Sequence, residues 1–128
     1  MNYFFSKTVD TNFEQTEEKI RELLKEQGFG ILTEIDVQAT LKKKLDVDFR
    51  RYKILGACNP HYAHKALLAE NKIGLMLPCN VVVEETDEGK TEVAVIDPVA
   101  SMAAVENESL KDVAMLIREK LHAVVESL

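Results

Sequence analysis

The longest helical pattern in the chain places the strongest constraint on the fold. Residues 109–127 repeat apolar side chains every three or four positions, which predicts a long amphipathic helix. Residues 29–37 alternate apolar and polar side chains, which is typical of a half-buried strand. The two patterns together predict helices packed on one face of a β-sheet. The apolar stripe of the long helix consists of Leu110, Val113, Leu116, Ile117, Leu121, Val124 and Val125.

Local signals divide the chain into elements in the order β-α-β-β-α-β-β-α. Gly28 predicts the end of the first helix, because glycine readily takes the left-handed conformation that closes a helix. Asn59-Pro60 predicts a helix start, and Pro78 predicts a bulge or an edge in a strand. The predicted strands are 3–9, 29–37, 50–58, 73–85 and 91–97, with helices at 12–27, 60–70 and 109–127, one or two turns within 38–48 and a hairpin loop at 87–90.

These elements predict one α+β domain of two layers that spans residues 1–128. Hairpin-connected strands form a largely antiparallel sheet, and the helices at 12–27 and 109–127 cover one of its faces. Residues 75–83 carry apolar side chains on both faces of their strand. We therefore expect a second copy of the chain to cover the other sheet face in a homodimer.

Composition and charge limit the functional classes. A 128-residue chain with 46% hydrophobic residues can form a stable core without disulfides. The net charge of −6 makes nucleic-acid binding unexpected, and the basic run Lys42-Lys43-Lys44 is expected to be solvated. No stretch approaches the ~18 apolar residues of a membrane span, and no signal-peptide pattern is present at the start. Two cysteines are too few for a disulfide framework, so we expect free thiols and a protein of the reducing cytoplasm.

Two Cys-Asn pairs, Cys58-Asn59 and Cys79-Asn80, are the first candidate site. Cys58 directly precedes a predicted helix N-terminus, whose positive dipole end would lower the pKa of the thiol. The two thiols would then act as a redox pair, as metal ligands or as a nucleophile with an accessory thiol. The alternative is that both cysteines are apolar filler and Asn59 is a helix cap. We predict that the two pairs line one shared pocket.

Two further groups of residues carry weaker signals. Cys58, His61 and His64 combine sulfur with imidazole, which suits zinc or copper, although exposed helix histidines are more common. Glu34, Asp36 and Asp97 have the chemistry to share protons or bind hard cations, although such acids more often mark solvated faces and turns. The sequence contains no motif for a phosphate-binding glycine loop, for a serine nucleophile elbow or for a zinc-protease helix.

Four sequence blocks together point to a known family: 28–37, Leu55-Gly56-Ala57-Cys58-Asn59-Pro60, 73–81, and Asp97-Pro98 with Met102. They resemble the prokaryotic family catalogued as domain of unknown function 302. The resemblance covers nearly the whole chain and implies a β-α-β(4)-α fold similar to the halves of the TATA-box-binding protein. It also implies a tendency to form homodimers, but it implies no activity, and His61 and His64 fall between its motif positions.

The sequence leaves the biochemical function open among three hypotheses. The first is a homodimeric binding module that holds a small ligand or a metal. The second is a thiol-dependent enzyme or redox protein that uses Cys58 with Cys79, and the third is an interaction module with inert cysteines. The ligand pocket of the first hypothesis would be lined by Cys58, Asn59, Cys79, Asn80, Asp97 and Met102.

Overall fold

The computed structural model describes residues 2–128 and contains five strands. The strands are β1 (Phe4–Val9), β2 (Gly30–Asp36), β3 (Tyr52–Cys58), β4 (Cys79–Glu85) and β5 (Thr91–Ile96). The α-helices are α1 (Phe13–Glu26), α2 (Val37–Leu45), α3 (Pro60–Ala69), the short α4 (Pro98–Ser101) and α5 (Glu108–Glu126), and a 3-10 helix covers Asn71–Met76.

The five strands form a single antiparallel sheet in the order β1-β5-β4-β3-β2. Helix α1 packs against β4 and α5, while α5 packs against β1 and β5. Both helices contribute to the same buried core, which confirms the predicted two-layer α+β fold with these helices on one face. The opposite face, which we call the open face, is left uncovered within residues 2–128.

Alternating strand residues build the core beneath the helices. Val81 and Val83 of β4 and Val93 and Val95 of β5 are fully buried, because every second side chain points to the covered face. Burying one aliphatic side chain of this size stabilises the fold by about 1.5–3 kcal/mol. The residues between them, Val82 and Ala94, lie on the open face, as strand alternation requires.

The segment before Cys79 differs from its predicted form. The strand expected at 73–85 begins only at Cys79, because residues Asn71–Met76 form the 3-10 helix instead. Pro78, preceded by a cis peptide bond, stands directly before the strand, where its missing N–H removes no ladder hydrogen bond. The proline therefore marks the start of the strand rather than a bulge within it.

The turn signals around the sheet are confirmed. Gly28 has a φ of 86° and follows the end of α1, and Gly89 has a φ of 76° in the loop between β4 and β5. In that loop the Thr86 N–H donates to the Lys90 carbonyl at 2.9 Å, which closes the hairpin. The expected helical turns within 38–48 are also present, as α2.

Candidate functional site

The Cys-Asn pairs meet at the ends of two neighbouring strands. Cys58 is the last residue of β3, and Cys79 is the first residue of β4. The register pairs Cys79 with Ala57, so Cys58 follows the cross-strand partner of Cys79 by one residue. Cys58, Cys79 and Asn59 line the same cavity, which we call the thiol cavity.

The thiol cavity is small and apolar. Its volume is about 20 Å³, and one water molecule needs roughly 10–15 Å³ of comparable space. Its remaining lining is hydrocarbon from β3, α3, α5 and the residues that precede β2 and β4. A cavity of this size accommodates no ligand larger than a water molecule or an ion. The other lining residues are Phe29, Ala57, Ala63, Ala66, Leu77, Pro78 and Ile117.

Both thiols are held in their protonated form. Burial raises the pKa of Cys58, and it raises the pKa of Cys79 to about 11, with a smaller contribution from the neighbouring Cys58. The prediction that the helix N-terminus lowers the pKa of Cys58 is therefore wrong: the pKa is raised, because burial disfavours the charged thiolate. Since the thiolate is the nucleophile, both cysteines are poor nucleophiles near neutral pH.

The two asparagines have different surroundings. Asn59 makes no side-chain cap on α3; its Nδ2 donates to the Gln27 carbonyl at 3.3 Å and so ties the end of α1 to the start of α3. Asn80 is exposed on the open face, because it is one residue beyond Cys79 and strand side chains alternate. Asn80 therefore does not line the thiol cavity.

Asp97 and Met102 also lie outside the thiol cavity. Asp97 is buried and caps α4 by accepting from the Val99 N–H at 3.0 Å, while Arg118 Nε donates to its other oxygen at 3.1 Å. Met102 is buried beside α5 in a separate hollow. The six residues expected to share one pocket thus occupy different places, and only three of them come together.

The other candidate acids serve the fold. Glu34 forms ion pairs with Lys53 and Arg21, each at 2.8 Å. The hydrogen bonds that Lys53 and Arg21 donate hold the pKa of Glu34 below its ordinary value. Asp36 caps α2 by accepting from the Ala39 N–H at 2.9 Å. In the basic run, Lys42 pairs with Asp46 at 3.1 Å on the surface. Ion pairing and helix capping account for these side chains.

The histidines do not assemble a metal centre. His61 and His64 are both exposed on α3. Within residues 2–128, no three side chains among histidine, cysteine, aspartate and glutamate are grouped so that they could hold a metal ion. Nor is any helix in this part of the chain long and apolar enough to cross a membrane.

The open face carries a continuous apolar row. Register pairs Ile35 with Ile54, Ile54 with Val82, and Val82 with Ala94, so the row crosses four strands and ends at Ser6 on the fifth. The sequence indicated only the part of this row in β4, through the apolar residues on both faces of 75–83. The full row could not be predicted, because it depends on the register between strands that are distant in the sequence.

A second feature that the sequence did not predict is a hollow between α4, the loop at 102–107 and α5. Its volume is about 280 Å³, and its lining is almost entirely apolar. Met102 forms part of its floor. We call it the helical hollow.

The fold and these surfaces define a small two-layer α+β protein with two candidate features, an open sheet face and a helical hollow. The chain belongs to the family described as domain of unknown function DUF302, whose sequence profile matches residues 5–128. A structure described as the crystal structure of an uncharacterized conserved protein DUF302 from Bacillus stearothermophilus is similar, with 30% sequence identity and a TM-score of 0.91 over 98% of each chain. Among curated proteins, none matches the chain.

Proposed function

We propose that this protein is a homodimeric binding module in which the open sheet face of one copy packs against that of another. The apolar row through Ile35, Ile54 and Val82 is the observation that carries the proposal. An antiparallel sheet with one solvated face normally alternates apolar and polar residues, so its outer face is polar. A row of aliphatic side chains across that face instead suits burial against a partner.

The size of the open face fits this partner. Five strands spaced about 4.8 Å apart and about 20 Å long give a projected area of roughly 500 Å². Stable interfaces bury roughly 600–1,000 Å² of accessible surface on each partner, and side-chain relief makes accessible area larger than projected area. The face is therefore large enough for a two-fold interface.

Neighbouring apolar groups extend the face at one end. Leu75 is 84% exposed and Met76 is 39% exposed in the 3-10 helix. Both line a shallow hollow that also includes Asn80 and Ile96 of the open face. The apolar surface thus continues beyond the strands, which brings the available area closer to that of a standard interface.

The thiol chemistry has less support than the binding role. A redox pair or a nucleophile needs an accessible thiolate, whereas Cys79 is buried with a pKa of about 11. Both cysteines are free thiols. Free thiols suit a reducing compartment, so we propose a cytoplasmic location, which fractionation of cells that produce the tagged protein would test.

Light scattering coupled to size-exclusion chromatography, at tens of micromolar protein, tests the dimer. Ile35→Lys and Val82→Lys each place a charge in the apolar row, and Leu116→Lys on α5 is the matched control. Ile35 and Leu116 are 47% and 44% exposed, so the two lysines meet similar solvent in the monomer. We expect a wild-type mass near twice 14.4 kDa, a monomer for both row variants and a dimer for Leu116→Lys.

Circular dichroism must show that each variant stays folded. A wild-type protein that runs as a monomer overturns the proposed dimer. A dimer that survives both row variants and dissociates only with Leu116→Lys places the interface on the helical side and overturns the proposed face.

A further inference from the structure

We propose that the helical hollow binds a small amphipathic carboxylate, with its apolar chain inside and its carboxylate at the rim. This site goes beyond the proposed dimer and lies on the helical side of the sheet. Its floor consists of buried side chains, Met102, Leu110 and Ala114, which are 4%, 1% and 3% exposed. Ala103, Lys111 and Met115 stand at its exposed rim.

The volume of the hollow suits a small ligand. At about 280 Å³ it lies just below the roughly 300–1,000 Å³ range of sites for drug-sized molecules, which suits a smaller ligand. It is also more than ten times larger than the thiol cavity, which is about 20 Å³. Water in an apolar hollow finds few hydrogen-bond partners, so an apolar chain of several carbons gains by replacing it.

Hydrogen bonds fix the walls of the hollow from both sides. Asp97 caps α4 and pairs with Arg118 of α5, which holds α4 against the long helix. Asn107 caps α5 through the Ser109 N–H, and its Nδ2 donates to the Ala69 carbonyl at 2.7 Å. The hollow therefore exists before a ligand arrives, which reduces the entropy cost of binding.

Lys111 determines the chemistry of the head group. It is the one charged side chain in the lining, and it stands at the rim with 63% of its side chain exposed. Its partner within the chain is Glu108 at 3.1 Å, and that carboxylate is 90% exposed. Because an exposed pair of this kind contributes little to stability, a ligand carboxylate replaces Glu108 at small cost. A ligand whose apolar chain lies in the hollow then places its carboxylate beside the ammonium group of Lys111.

Methionine methyl signals test the site directly. Met102 and Met115 line the hollow, whereas Met76 lies in the 3-10 helix and serves as an internal reference. Protein labelled with carbon-13 at the methionine methyls is titrated with sodium octanoate below its micelle concentration. We expect saturable shifts of the Met102 and Met115 signals and a constant Met76 signal.

Two matched variants separate the hollow from the surrounding surface. Ala103→Phe places a ring at the rim of the hollow, and Ala104→Phe places the same ring on the next exposed residue, outside the lining. We expect Ala103→Phe to weaken octanoate binding about tenfold, because roughly two methylenes of the chain lose their burial. Ala104→Phe should bind as the wild type does.

Comparison with 1-octanol tests the head group. Octanoate should bind up to about fivefold more tightly than octanol, as expected for an exposed ion pair, and Lys111→Gln should remove that difference. Equal affinities in the wild type overturn the carboxylate assignment.

Unsaturable shifts, or shifts of the Met76 signal together with those of Met102 and Met115, overturn the site itself. Repeating the titration on Val82→Lys separates this proposal from the dimer, since a monomer that still binds octanoate leaves the hollow intact whatever happens to the open face.

Discussion

Replacing Gly56 by alanine should destabilise the protein through a steric clash on the open face. A Cβ at this position would overlap Thr33 Oγ1 and would stand 2.7 Å from Pro78 Cγ. The backbone of Gly56 is not in the left-handed region, so strain in φ contributes nothing to the effect. The whole effect must therefore come from contact with the two neighbouring side chains.

The magnitude follows from the stiffness of those neighbours. Pro78 is a ring fixed to the backbone, so it cannot rotate away, although Thr33 is exposed and can change rotamer. Forcing an extra carbon into a packed site costs about 1–3 kcal/mol. For a chain of this size, each 1 kcal/mol lowers the melting temperature by about 3–5 °C.

Urea denaturation followed by circular dichroism measures the change. Gly30→Ala is the control, because its Cβ would meet no atom within 4 Å, and we expect it to be neutral or to stabilise by up to about 1 kcal/mol. Adding Thr33→Ala to Gly56→Ala should recover part of the loss, since the Pro78 contact remains. If Gly56→Ala unfolds within about 0.5 kcal/mol of the wild type, the steric reasoning is wrong.

Three further predictions concern titration, labelling and capping. Because hydrogen bonds lower the pKa of Glu34 below 4.5, its contribution to stability is present above that pH and is lost as the pH falls through the lowered value. We therefore expect the free energy of unfolding of the wild type to fall, relative to that of Glu34→Gln, as the pH is lowered. The difference should be less than about 1 kcal/mol, because Glu34 is half-exposed. Mass spectrometry after iodoacetamide treatment at pH 7.5 should find Cys58 modified slowly and Cys79 only in urea; rapid modification of Cys79 in the native protein would contradict the burial argument. In thermal melts, Asp97→Ala should cost about 1–3 kcal/mol, more than Asp36→Ala, because Asp97 is buried and loses both a cap and an ion pair, whereas Asp36 is an exposed cap. Equal losses would show that the ion pair contributes nothing.

Local signals predicted the elements of this fold well. Gly28, the hairpin loop at 87–90 and Asn59-Pro60 each act within a few residues, and each marks the boundary that the structure shows. The segment at 73–78 was predicted incorrectly as a strand. Its residues are apolar, and a short apolar run does not distinguish a strand from a turn of helix.

The candidate site was predicted only in part, because its properties depend on burial and register. The convergence of Cys58 and Cys79 follows from two adjacent strands and was expected. The raised pKa of Cys58 depends on how deeply the folded core covers it, and no nearby residue in the sequence reports that depth. The exposed position of Asn80 could have been predicted from the sequence, because neighbouring side chains in a strand face opposite sides of the sheet and Cys79 is the next residue.

Packing accounts for each residue of the block at 55–60, one of the blocks that carry the family resemblance. Leu55 and Ala57 are buried beneath the helices, and Gly56 leaves room for Thr33 and Pro78 on the other face. Of the remaining positions, Cys58 lines the thiol cavity, Asn59 ties two helices together and Pro60 starts α3. A block explained in this way needs no chemical role for its one thiol, Cys58. The aliphatic row on the open face and the rim of the helical hollow, in contrast, lie where a partner or a ligand can reach them.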